Sequence, residues 1–270
     1  MHNYKLLIAY EGTHYSGWQI QKNGISIQAL LEKYLSIILR TSIKVIGSGR
    51  TDAGVHAIGQ VAHFKTTTSF EFSRLLKSLS GLLPPDVRVL HIEEVPLDFH
   101  ARYSAISKVY HYYLYTGLAK DPFNHFYAYR VPHPVALNTL MQAAKLFIGT
   151  HDFTSFANNA TTGSAAKNAV RNLKRLSILP KEEYICLELE ADGFLYKMVR
   201  NIVGTLLDIC AGKIALEEIP AIFQAKDRRL AGRAAPAHGL ILAKVDYETT
   251  SLNFDPSSLF LQTLVFKRHG

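Results

Sequence analysis

Apolar residues run almost without a break from residue 4 to residue 10, then give way to a stretch rich in glycine and polar side chains that lasts to Gly24. A short apolar run bounded by turn residues predicts a buried strand. The period then changes. Ile27, Leu31, Tyr34, Leu35 and Ile38 fall on one helical stripe behind Ser26, a good N-cap, and predict a helix that ends near Arg40. Residues 59–65 and 87–95 read as strands. Between them, residues 73–83 read as a helix stopped by Pro84 and Pro85, because proline cannot continue the backbone ladder.

The second half repeats this rhythm. Residues 108–116 form a strand unusually rich in tyrosine. A loop with Pro122 and Pro132 leads to a helix expected to start at Pro134, with Leu137, Leu140, Met141, Ala144 and Ile148 as its stripe and Gly149 as its cap. Residues 173–179 and 185–191 read as strands. In the latter, Ile185, Leu187 and Leu189 alternate with Cys186, Glu188 and Glu190, giving one buried and one wet face. Residues 194–211 make the strongest helix, residues 216–224 another, and residues 240–247 a last strand.

This order predicts an α+β fold: two related lobes sharing a mostly antiparallel central sheet, helices on one face, and an active-site cleft between the lobes. The expected division is an N-terminal lobe at 1–107, a C-terminal lobe at 108–247 and a partly apolar tail at 248–270.

Composition narrows the function. The chain has 270 residues, 48% of them hydrophobic, and a net charge of +8. A basic surplus favours a polyanionic partner through phosphate neutralisation, although a generic basic enzyme fits equally well. Two cysteines, Cys186 and Cys210, build no disulfide framework, so a reducing cytosol is the expected location. The N-terminus lacks the long apolar segment of a signal peptide. No apolar run approaches the ~18 residues needed to span a bilayer, so no membrane partner is expected.

The most unusual stretch is Gly47-Ser-Gly-Arg-Thr-Asp-Ala-Gly-Val-His-Ala57, where three glycines surround Arg50 and Asp52. Gly47, Gly49 and Gly54 offer positive φ or close approach by a ligand. A dinucleotide fingerprint fails because Asp52 stands where glycine is needed, and a P-loop fails because no Lys-Ser/Thr follows the last glycine. A tight loop presenting a carboxylate remains; on spacing alone, a plain turn in which Asp52 caps the next element is the commoner outcome. Twelve histidines occur, yet no H-E-x-x-H or Cys-His spacing marks a metal site, and no G-x-S-x-G elbow marks a serine nucleophile. A Mg²⁺-dependent hydrolase would need a second carboxylate near Asp52, and none lies between Arg40 and Ser69.

At these residues the chain resembles the TruA-type tRNA pseudouridine synthases. Gly49-Arg-Thr-Asp-Ala-Gly-Val-His56 is similar to their signature loop. Tyr15-Ser-Gly-Trp-Gln19, Asp98-Phe-His-Ala-Arg102, His151-Asp-Phe-Thr-Ser-Phe156, Phe194 with Met198-Val-Arg-Asn-Ile-Val-Gly204, and Ala235-Pro-Ala-His-Gly-Leu240 resemble further family segments in the same order. Ile20, Gly81 and Asn168 depart from the usual pattern, all away from the expected nucleophile and its partners.

The resemblance implies isomerisation of uridine to pseudouridine at positions 38 to 40 of the tRNA anticodon stem-loop, in a homodimer and without a cofactor or metal. It implies Asp52 as nucleophile, Arg200 as the cation that pairs with it, and Tyr110 as the residue that stacks on the flipped base. It further implies Leu240 beneath the base and substrate contacts by Arg102 and His56. Arg50 is a candidate for the flipped nucleotide's phosphate or for the gap that nucleotide leaves. The bland alternatives are a core tyrosine for Tyr110, a solvated helix face for Arg200, sheet core for Leu240 and a structural pairing for Arg50. Lys167, Arg171, Lys174, Arg175, Lys226, Arg228, Arg229 and Arg233 are candidates for an RNA backbone track.

Overall fold

In the computed structural model, which describes residues 1–119, 121–158 and 168–248, ten strands and five α-helices form an α+β chain with mostly antiparallel strands. The described residues fall into two compact units, one of residues 1–106 with 241–248, the other of residues 107–240.

In the first unit, β1 (His2–Tyr10) lies between β4 (Val87–Val95) and β3 (His56–Thr66), antiparallel to both. The two-residue β2 (Ile46–Gly47) pairs antiparallel with β3, and β10 (Leu240–Tyr247) runs parallel to it, Ile241 opposite His56. Helix α1 (Ile27–Leu39) starts where its pattern predicts, because Ser26 accepts the Ala29 amide. Helix α2 (Phe72–Leu82) is capped by Glu71, whose carboxylate takes the Ser73 and Arg74 amides, and packs on α1 and β4. Leu6, Ile8, Leu31, Leu35, Phe64 and Leu75 are buried in its core. Burying six such side chains contributes on the order of 10 kcal/mol to this unit.

In the second unit, β5 (Ala105–Tyr115), β9 (Tyr184–Ala191), β8 (Val170–Lys181) and β7 (Gly149–Asp152) are antiparallel neighbours in that order, with β6 (Tyr129–Arg130) parallel to the end of β5. Helix α3 (Leu137–Lys145) packs on β8 and on α4 (Met198–Cys210); α5 (Ile219–Ala225) follows a 3-10 turn at Leu216–Glu218.

Several boundaries depart from the pattern. Helix α3 begins three residues after Pro134, and Gly149 opens β7 with φ 115 instead of capping the helix. The strongest helix starts at Met198 and not at Phe194, because Lys197 is left-handed at φ 59 and breaks the ladder. The helix face beside Arg200 is not solvated either, since Asn201 and Gly204 are buried. Lys167 and the apolar tail beyond residue 248 lie outside the described residues.

Candidate active site

The glycine-framed loop joins β2 to β3, and its side chains are held from below. Thr51 is buried, and its hydroxyl lies 2.8 Å from that of Tyr10 on β1. Gln60, fully buried on β3, accepts from the Ser48 hydroxyl at 2.8 Å and donates to the Gly49 carbonyl at 3.1 Å and to the Tyr10 hydroxyl at 3.4 Å. Burial raises the Tyr10 phenol to about 12, against the hydrogen bonds from Thr51 and Gln60, so it stays neutral. Ser48, Thr51, Gln60 and Tyr10 therefore close a network under the residues that flank Asp52. Such a network, fully satisfied, rigidifies a loop.

The Y-S-G-W-Q segment presses on the same loop. The Thr51 carbonyl accepts the Trp18 amide at 3.1 Å. A Cβ on Gly17, which has φ 87, would come within 2.4 Å of that carbonyl, and Gly47 lies flat against the Trp18 indole. Among the three loop glycines, only Gly54 is left-handed, at φ 76. Gly47 and Gly49 do not use positive φ, contrary to expectation; the need at Gly47 is room for tryptophan.

Asp52 ends up half-buried, with its carbonyl accepting the Val55 amide in a turn. Arg50 is exposed and donates through Nε to Gln19 at 3.1 Å, a structural pairing with a side chain of the neighbouring segment. His56 is buried at the start of β3, and its Nδ1 accepts the Gly12 amide at 2.9 Å; it anchors the end of the loop. Arg102 is exposed on the turn after β4, its guanidinium 5.7 Å from the centre of the Tyr103 ring.

In the second unit, Tyr110 is buried on β5 opposite Leu189, with its ring edge-on to Phe194 at 5.1 Å. Arg200 stands in the first turn of α4. Its Nε donates to the Ala235 carbonyl at 2.7 Å, and the Ala235 amide donates to the Arg200 carbonyl at 2.9 Å. The guanidinium is thereby oriented by the segment that ends at Leu240, which is itself buried. That segment is pinned in turn by Tyr112, whose hydroxyl donates to the Pro236 carbonyl at 2.9 Å.

Asn201, next to Arg200, ties the remaining motifs together. It donates to the Phe156 carbonyl at 2.9 Å and accepts from Arg228 at 2.7 Å. Arg228 is thus held by the protein framework through Asn201 and the Ala231 carbonyl. Arg229 is paired with Asp227, Lys226 with Asp152, and Arg175 with Glu188 and Glu190. Sequence reasoning gave no role to Tyr10, Ser48, Gln60 or Asn201; polar character at strand positions was the signal for Tyr10 and Gln60, whereas Ser48 lies in the glycine-framed loop and Asn201 in the Met198–Gly204 segment. Among the described residues, no three His, Cys, Asp or Glu side chains gather as metal ligands, and no helix is long and apolar enough to cross a membrane.

The α+β chain thus holds an aspartate on a braced loop of one unit and orients an arginine on a helix of the other. A family model described as tRNA pseudouridine synthase matches residues 6–104 and 143–248. The chain is 56% identical over 249 residues to tRNA pseudouridine synthase A 1 of Protochlamydia amoebophila, covering 92% of this chain and 97% of that protein. It is 46% identical to tRNA pseudouridine synthase A of Chlamydia muridarum, covering 90% and 91%, and 41% identical to that of Acetivibrio thermocellus, covering 92% and 100%. The chain belongs to the tRNA pseudouridine synthase family, whose members are isomerases.

Proposed function

We propose that this enzyme converts uridine to pseudouridine at positions 38, 39 and 40 of the tRNA anticodon stem-loop, using Asp52 as nucleophile and no cofactor. The observation that carries the reading is the bracing of the Asp52 loop by buried hydrogen bonds from Tyr10 and Gln60. A carboxylate held in this way meets a reacting atom without first being ordered, which is how positioned groups accelerate chemistry.

The target uridine leaves its stack to reach the carboxylate. The bond between ribose C1′ and N1 breaks, the uracil turns, and C5 joins C1′. The C5 proton is then lost and N1 ends protonated, so the product is an isomer of the substrate. Nothing is oxidised, hydrolysed or transferred from outside. Arg200 supplies the positive charge that keeps the nucleophile ionised once RNA covers it. Tyr110 stacks on the extruded base, Leu240 lies under it, and the exposed Arg50 and Arg102 complete the substrate contacts, while the buried His56 anchors the loop end. The enzyme works in the cytoplasm as a homodimer on the anticodon arm.

Release of tritium from tRNA carrying C5-labelled uridine tests the assignment. Asp52→Asn is expected to abolish release while tRNA binding persists. Release at the wild-type rate from the variant would overturn it.

A further inference from the structure

The first unit carries an open surface recess with a volume of about 420 Å³. Ile46, His63 and Phe64 form its floor; Ser42, Lys44, Lys65 and His100 form its walls. Ser42, Lys44 and Lys65 are exposed, and no carboxylate lines the recess among the described residues.

Its floor continues outward as a row of rings. His63 meets His100 at 4.8 Å between centroids, and His100 meets Tyr103 at 4.3 Å with the planes 33° apart. Tyr103 is 74% exposed, with His100 and the Arg102 guanidinium, 5.7 Å from its ring centre, as its neighbours. His63 is locked in place, its Nδ1 accepting the Ala101 amide at 3.1 Å. Burial, then the charges on His100 and Lys65, bring His63 down to about 4; burial likewise lowers His100. Both rings are neutral at neutral pH; His63 is buried and His100 half-buried, so Tyr103 is the exposed ring of the row. The two ammonium groups beside them are the only strong charges on the recess wall.

Flat rings beside unopposed cations are the two ingredients of single-strand nucleic-acid contact: the ring stacks on a base and the cation meets its phosphate. We propose that this recess takes the phosphate of one unpaired nucleotide of the bound tRNA, separate from the nucleotide that is isomerised, between Lys44 and Lys65, with the base of that nucleotide outside the recess on Tyr103, next to His100. The site rests on family membership and not on the assignment of Asp52.

Three exposed-site variants test it: Tyr103→Ala, Tyr103→Phe and the pair Lys44→Ala with Lys65→Ala. The readouts are the Kd for tRNA across a salt series, kcat at saturating tRNA, and heats of binding for free uridine monophosphate. Tyr103→Ala is expected to weaken tRNA binding roughly 10-fold, as loss of one stacked base does, and Tyr103→Phe to restore it. The lysine pair is expected to reduce the salt slope by about 0.7, the value for one single-strand phosphate. The kcat of all three should match wild type, so a failure here reads differently from a failure at Asp52. An unchanged salt slope and Kd would overturn the proposal. So would equal weakening by Tyr103→Ala and Tyr103→Phe, which would assign the effect to the hydroxyl. Tight, lysine-dependent binding of uridine monophosphate with tRNA affinity unmoved would make the recess a small-molecule site instead.

Discussion

The hydroxyl of Tyr10 lies 2.8 Å from that of Thr51, although 41 residues separate them. Thr51 immediately precedes Asp52, so a strand at the centre of the first unit controls the backbone of the proposed nucleophile. The same phenol is reached by Gln60, making the loop an extension of the β1–β3 ladder rather than a free turn.

Gln60→Leu keeps the volume but leaves the Ser48 hydroxyl and the Gly49 carbonyl without their partner. The expected cost is about 2 kcal/mol, the usual penalty for stranded buried polar groups. Urea unfolding should show it as a lower midpoint. The kcat should fall roughly 10-fold as Asp52 loses its fixed position. Unchanged stability and turnover would show that the network is incidental.

Gly204 on α4 is a contact point and not a flexible joint. A Cβ there would sit 1.6 Å from the Arg233 carbonyl. Gly204→Ala should push residues 233–235 away, cost about 3 kcal/mol, and release the Ala235 carbonyl from Arg200. Thermal unfolding measures the first effect and tritium release the second. A variant as stable as wild type would mean that the segment shifts freely.

His63 gives a stability change with a defined pH window. Its folded pKa, about 4, lies below the ordinary value of 6.5. The unfolded chain therefore binds the extra proton first, and stability declines as pH falls from 6.5 towards 4, by as much as ~3 kcal/mol. Protonation would also set a second N–H against the Ala101 amide that His63 now accepts. The groups that face the ring are His100 and Lys65, both of which oppose its charge, and the Ile46 carbonyl, which favours it. His63→Gln should flatten the slope in urea titrations between pH 4 and 6.5. An identical slope in the variant would assign the window to other groups.

Arg200 is expected to resist conservative replacement. Lysine keeps the charge but cannot hold the Ala235 carbonyl through Nε while directing a second N–H elsewhere. Arg200→Lys should lower kcat about 100-fold, the scale of losing one aimed donor, with little change in unfolding midpoint. Full turnover by the lysine variant would remove the guanidinium from the chemistry.

Most elements are legible because periodicity is local. The stripe of α1 behind Ser26, the proline stop after α2 and the alternation in β9 all came from neighbours within a few positions and reappear in the fold. The ordered motifs likewise gave the family without any coordinates, and the family match confirms it. Boundaries that depend on one backbone angle did not show: nothing in Lys197 marks it as left-handed, yet it moves the start of α4 by four residues relative to its apolar pattern.

What pattern could not supply is pairing at a distance. Tyr10, Ser48 and Gln60 read as ordinary strand or loop residues until the register of β1 against β3 brings them together beneath Thr51. Asn201 and Gly204 sit on a helix turn whose partners, carbonyls from Phe156 and Arg233, come from distant segments. Lys44, Lys65 and Tyr103 carried no motif, and only folding sets them around His63 and His100. Local side-chain period decides which face of an element turns inward, whereas strand register and chain reversal decide which polar groups meet there.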